Sequence, residues 1–151
     1  MDRCLMRLSL LSLLVVGVGG CSNEGTGNHP RVVKATGIVR YQGQPVADAD
    51  VTFNNPNAGQ TGTAKTDSAG RFALSTFGKA DGVVPGPQLV AIRRVDVIDN
   101  TPPGVDVSAG GASVPPTIRW LVPEKYSNIK TSGLSVEVKD GETNEFPFDL
   151  K

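Results

Sequence analysis

An all-β sandwich of about seven short strands is the fold class predicted by this 151-residue sequence. Three observations predict it. From Val33 onward apolar residues recur at every second position, the period of a half-buried strand and not of a helix. Glycine (18) and proline (11) are frequent and cluster between the alternating runs, where turn chemistry needs them. No segment beyond the N-terminal twenty residues reads as a helix longer than a single turn.

The N-terminus stands apart from that pattern. Arg3 and Arg7 make a short positive region, and Leu8 to Val18 is an uncharged stretch of Leu, Val, Ser and Gly. Its length suits the core of a signal peptide and is too short to span a bilayer as a helix. It ends in Val18-Gly19-Gly20-Cys21. An apolar branched residue, two small residues and a cysteine resemble the lipobox of bacterial lipoproteins. That resemblance implies cleavage before Cys21 and a diacylglyceryl thioether on its sulfur. Residues 1–20 are thus the expected signal peptide. Cys4 leaves with it, so the mature chain has no cysteine except the lipidated one and no disulfide. Ser22 in place of an aspartate favours the outer membrane, so the expected location is the cell envelope, facing the periplasm or the cell surface. Residues 21–30 (CSNEGTGNHP) contain nothing able to bury a core beyond the anchored cysteine and read as a flexible tether. The lone histidine, His29, lies in it and is expected to be solvated.

Residues 31–151 are the expected sandwich domain. Val33, Ala35, Gly37, Val39 and Tyr41 alternate with Lys34, Thr36, Ile38 and Arg40 and form the first strand. Gln42-Gly43-Gln44-Pro45 turns it. Ala49, Val51 and Phe53 mark the second strand, Asn54 to Gly62 a loop, and Thr63 to Thr66 a short third strand. Asp67-Ser68-Ala69-Gly70 has aspartate first and glycine fourth, as a type I turn prefers, and Phe72, Leu74 and Thr76 alternate after it, so a hairpin is expected. Asp67 can accept from backbone N–H groups of its own turn and Gly70 can take the turn's exit, so both are assigned structural work. Gly78 to Pro87 is loop, and Gln88 to Arg94 a strand. Residues 96–116, with Pro102-Pro103-Gly104, Gly110-Gly111 and Pro115-Pro116, read as irregular, and a loop this long is either functional or mobile. Pro123 to Tyr126 reads as a helical turn. Leu134, Val136 and Val138 form the next strand, Asp140-Gly141 a turn, and Phe146, Phe148 and Leu150 the last strand. Pro147 lacks a ladder N–H, which places that strand at an edge or at a bulge. The expected architecture is an immunoglobulin-like or prealbumin-like sandwich. Tyr41, Phe53, Phe72, Trp120, Phe146 and Phe148 are its large core residues.

Chemistry is scarce. Net charge is zero and no basic stripe exists, which leaves nucleic-acid binding without an electrostatic footprint. With one histidine outside the domain, a serine or cysteine nucleophile has no base, and no His/Cys set suits zinc. Asp48 with Asp50, Asp96 with Asp99, and Glu142 with Glu145 are close in sequence, but none fits a calcium-loop pattern and all read as surface charge. No catalytic residue, metal or cofactor is expected.

Several motifs together resemble a known family. Gly37-Ile38-Val39-Arg40-Tyr41-Gln42-Gly43-Gln44-Pro45-Val46 followed by Ala49-Asp50-Val51-Thr52-Phe53 looks like the opening of carboxypeptidase regulatory-like, transthyretin-like domains. Thr66-Asp67-Ser68-Ala69-Gly70-Arg71-Phe72 is similar to their TD-x-x-G-x-F turn, and Asp81-Gly82 with Pro85-Gly86 to the approach of the next strand. Pro123-Glu124-Lys125-Tyr126-Ser127, Ser132-Gly133-Leu134 and Phe146-Pro147-Phe148-Asp149-Leu150 resemble the tail of the small lipoprotein version abundant in planctomycetes. Gln88 stands where such domains usually place a tyrosine. The resemblance implies the sandwich fold and an envelope location. The expected function is that of a lipid-anchored, non-enzymatic protein with a structural or protein-interaction role. Its partners are the membrane, through Cys21, and an envelope protein. The alternative is a ligand-binding or enzyme-accessory module for a glycan or peptide.

Overall fold

The computed structural model describes residues 29–105, 107–109 and 114–151. The expected signal peptide, Cys21 and the tether up to Asn28 lie outside the described residues. Among the described residues ten strands form: β1 (Ala35–Tyr41), β2 (Gln44–Pro45), β3 (Asp50–Asn55), β4 (Gln60–Lys65), β5 (Arg71–Ala73), β6 (Gly86–Arg93), β7 (Val95–Ile98), β8 (Thr117–Trp120), β9 (Leu134–Val138) and β10 (Asn144–Leu150). Single 3₁₀ turns occupy Val107–Ala109 and Glu124–Ser127. The chain is an all-β sandwich. The seven strands expected from alternation are β1, β3, β4, β5, β6, β9 and β10, with shifted ends.

Two sheets make the layers. In the first, β1 is central: β10 runs parallel to it on one side, from Ala35 opposite Asn144 to Tyr41 opposite Leu150, while β5 and β2 share its other side. The second is antiparallel in the order β4-β3-β6-β9. The inward residues of each strand are the alternating apolar ones, so Val39, Val51, Phe53, Val90 and Ile92 are fully buried. Phe53 of β3 reaches across the interlayer space. Its ring centre lies 6.1 Å from Phe72, 5.7 Å from Phe146 and 6.0 Å from Phe148, all on the first sheet. Pro147 sits in β10, which ends its sheet and pairs with β1 alone, as a residue without an N–H requires.

Four expectations are corrected. Asp67–Gly70 does not close a hairpin. It hands the chain from the second sheet to the first: β4 pairs with β3, β5 with β1, and one bridge, Thr63 to Ser75, joins the two segments. The cause is long-range. The Phe72 ring lies over Gly37 of β1, where a Cβ would collide with that ring and with the Phe146 carbonyl. The loop expected over Asn54–Gly62 shrinks to 56–59. The buried Asn55 side chain closes it, with Oδ1 accepting from the N–H of Asn57 (3.0 Å) and Ala58 (2.9 Å) and Nδ2 donating to the Pro85 carbonyl (3.0 Å). The 96–116 segment is not wholly irregular, because Asp96 to Ile98 belong to β7, which pairs with β8 just beyond the segment. Trp120 is not a core residue. It is half-buried at the base of that hairpin, with the Arg93 guanidinium 5.9 Å from its ring centre. Tyr126 fills a core place instead: its hydroxyl donates to the Lys151 carbonyl (3.1 Å) and accepts from the Lys151 N–H (3.2 Å), which ties down the C-terminus.

Candidate functional site

The strand registers give the sandwich two poles. The chain enters at one of them, where Val33 bridges Val83, Arg31 pairs with Asp140 at 2.9 Å, and β6 begins with Gly86 opposite Val138. β6 then runs to the other pole, where Arg93 lies opposite Asp50. The β7–β8 hairpin leaves from there. The start of the domain and the hairpin are therefore at opposite ends of the molecule. His29, expected to be solvated, is exposed, but its ring stacks on the exposed Phe77 at 4.4 Å between centres.

The hairpin carries two unlike faces. Val95 opposite Trp120 and Val97 opposite Ile118 put four apolar side chains on one face. Val97 is 65% and Ile118 51% exposed, and among the described residues no element covers them. On the other face Asp96 lies opposite Arg119 and accepts from it at 2.6 Å and from Arg94 at 3.1 Å. The hydrogen bond from Arg119 holds the Asp96 carboxyl below its ordinary range, helped by the charges of both arginines and opposed by desolvation. Arg94 also fixes the base by donating Nε to the Ala47 carbonyl (2.9 Å). At the outer end Asn100 Nδ2 donates to the Pro115 carbonyl and to Thr117 Oγ1, both at 2.8 Å. The hairpin is thus braced at both ends while its apolar face stays open.

Of the residues singled out by sequence, Cys21 lies outside the described residues. Asp67 and Gly70 fall together in one turn. Asp67 Oδ1 accepts from the N–H of Ala69 (2.9 Å) and Arg71 (2.8 Å), and its carbonyl accepts from Gly70 N–H (2.9 Å). Gly70 has φ +73°, and a Cβ there would lie 2.5 Å from the Val39 carbonyl, whose own N–H donates to Gly70 O. Neither residue faces a partner for chemistry. Asp67→Ala is expected to cost about 1 kcal/mol of stability, the usual net value of such hydrogen bonds, in a urea titration that leaves membrane partition unchanged. The paired acids scatter: Asp50 binds Lys65 at 2.8 Å and Glu142 binds Lys139 at 3.3 Å.

The sequence offered Asp81 only as part of the Asp81-Gly82 motif, and the work of its carboxylate was missed. Asp81 draws the loop after β5 around its carboxylate, with Oδ1 accepting from Thr76 N–H (2.8 Å) and Oδ2 from Phe77 (3.0 Å) and Gly78 (2.7 Å). The Asp-x-x-Gly spacing that marked Asp67 has no counterpart here, because these donors precede the acid. Partial burial pushes its pKa up, but the backbone donors together outweigh that and hold it below the ordinary 3.8. A depressed folded value means that the stabilisation is present above the ordinary pKa and is lost as pH falls through the folded one. Asp81→Asn is therefore expected to cost about 1–2 kcal/mol at pH 7, and the gap from the native protein should narrow below about pH 4. A gap unchanged between pH 7 and pH 3 would show that the charge contributes nothing.

Gln88 is fully buried in β6 and donates Nε2 to the Val84 carbonyl at 2.8 Å.

No family model and no curated protein sequence matches this chain. Among solved structures, the crystal structure of a 9R-lipoxygenase from Cyanothece PCC8801 is similar to it, at a TM-score of 0.35 and 15% sequence identity. The likeness covers 79% of this chain, which spans 16% of the length of that one.

Proposed function

We propose that this chain is a lipid-anchored, non-enzymatic envelope protein, of the carboxypeptidase regulatory-like, transthyretin-like kind its motifs resemble, that presents the β7–β8 hairpin to a protein partner. The observation that carries the proposal is the open apolar face of Val97 and Ile118 at the pole opposite the start of the domain. Contiguous exposed apolar side chains on a braced element mark contact surfaces in soluble domains. The anchor side rests on the lipobox-like Val18-Gly19-Gly20-Cys21. A tether over 21–30 reaches at most roughly 35 Å, at about 3.4 Å per residue. It leads to the entering pole, while the length of β6 sets the hairpin about 26 Å beyond. The partner accordingly meets the domain on the side away from its own lipid. It presents an apolar surface, because covering the exposed part of the two aliphatic side chains is favourable, by about 1 kcal/mol or more each.

The test places a photocrosslinking side chain at Val97, at Ile118 and, as a control, at Thr52 on the outward face of β3, in cells. One discrete adduct from the two hairpin positions and none from the control is expected, and Val97→Asp with Ile118→Asp should abolish it while leaving the unfolding midpoint within a degree or two, since both sites are exposed. Adducts of the same pattern from all three positions, or none from any, would sink the reading.

A further inference from the structure

Beside the Asp67 turn the two sheets part. Thr63 and Ser75 exchange both backbone hydrogen bonds, at 2.8 and 2.9 Å, and among the described residues no later bridge joins β4 to β5. The chain has swung over to β1, and a groove of about 610 Å³ opens at the seam. Small-molecule sites occupy roughly 300–1,000 Å³, so its size is adequate for one. Its floor is apolar, formed by Ala64, Phe72 and Ala73. Ladder alternation supplies a donor as well: Leu74 N–H goes to Ala35 O and Val39 N–H to Gly70 O, which turns the Ala73 N–H away from β1 and toward the seam.

Three cations, Lys65, Arg71 and Lys79, and two acids, Asp67 and Glu145, line the groove. Asp50 holds Lys65 at 2.8 Å, but among the described residues no carboxylate lies within 4.0 Å of the charged groups of Arg71 or Lys79. Asp67, four residues before Arg71, points Oδ1 at the N–H groups of its own turn, and Asp81, two residues after Lys79, accepts from the N–H groups of Thr76, Phe77 and Gly78. Glu145 lies across β1 in the row of Thr36 and Ala73, and repels a negative group on that side. We propose that this groove binds a small organic anion. Arg71 and Lys79 take its carboxylate or phosphate-ester head, a geometry that a guanidinium matches in a bidentate way, and its compact apolar body rests on Phe72 and Ala64. This site is separate from both the lipid anchor and the hairpin and stands without either.

The test is a backbone-amide NMR titration of the purified protein with benzoate, phenyl phosphate and neutral benzamide. Benzoate or phenyl phosphate should move the Ala73, Ser75 and Ala80 amides saturably, whichever head is preferred, and benzamide should not. Arg71→Gln and Lys79→Gln should each weaken the anion by about tenfold, or about 1.4 kcal/mol, without shifting the unfolding midpoint. The proposal is overturned if neither anion saturates these amides by about 10 mM, if benzamide moves them equally, or if both variants bind as the native chain does. The benzoate–benzamide comparison needs no substitution and so does not depend on a variant folding.

Discussion

Phe53→Ala is expected to lower the unfolding free energy by about 3–5 kcal/mol, the range for deleting a fully buried aromatic ring. β3 lies between β4 and β6, so the strand cannot move aside to close the space. The ring is fully buried and meets Phe72, Phe146 and Phe148, which come from two strands of the opposite sheet. Removing it therefore leaves a cavity at the contact that joins the layers. Domains of this size have roughly 5–15 kcal/mol in total, so the variant should sit near the edge of folding at 37 °C. Urea unfolding followed by near-ultraviolet signal checks this. Phe77→Ala, at an exposed ring, is the comparison and should cost no more than about 0.5 kcal/mol. Equal effects from the two substitutions would show that the interlayer packing does not carry the fold.

Cys21→Ser is expected to move the protein from the membrane fraction to the soluble one. Serine keeps the size of the side chain but lacks the thiol that accepts the diacylglycerol. A single acyl chain holds a protein to a bilayer only weakly, and two or three hold it stably, so loss of the thioether should be close to all-or-none on fractionation. The stretch from Leu8 to Val18 is shorter than the roughly 20 apolar residues a spanning helix needs, so an unprocessed N-terminus should not replace the lipid. A Cys21→Ser protein that still sediments entirely with membranes would place the attachment elsewhere.

The strands of the two layers were legible because their inward faces are buried and their outward faces are not. Val51 and Phe53, Phe72 and Leu74, Val90 and Ile92 each show the two-residue period that burial on one side imposes. What alternation does not contain is the identity of the neighbour. Asp67–Gly70 has the local chemistry of a hairpin turn, yet Phe72 over Gly37 decides that β5 joins β1. The β7–β8 pair escaped for a different reason. Its two strands are separated by the proline- and glycine-rich segment, and Val97 and Ile118 lack the burial that makes an apolar residue informative. Trp120 misled because size argues for the core, whereas its place is the hairpin base. Tyr126 was hidden because its burial depends on the chain end at Lys151. Of the candidate site, the Asp67 turn was readable from residue types. The Asp81 loop is local, but its donors precede the acid and follow no familiar turn spacing. The open hairpin face and the seam groove arise from contacts between segments distant in sequence.

The functional account turns on one covalent proposal: that Cys21 is the first residue of the mature chain and carries lipid. Mass spectrometry of the N-terminal proteolytic peptide from membrane-purified protein tests it most directly. The expected peptide begins at Cys21 and carries a diacylglyceryl group on sulfur, with or without a further acyl group on the new amine. A peptide that begins upstream of Cys21, or one that begins there with a free thiol, would contradict the account.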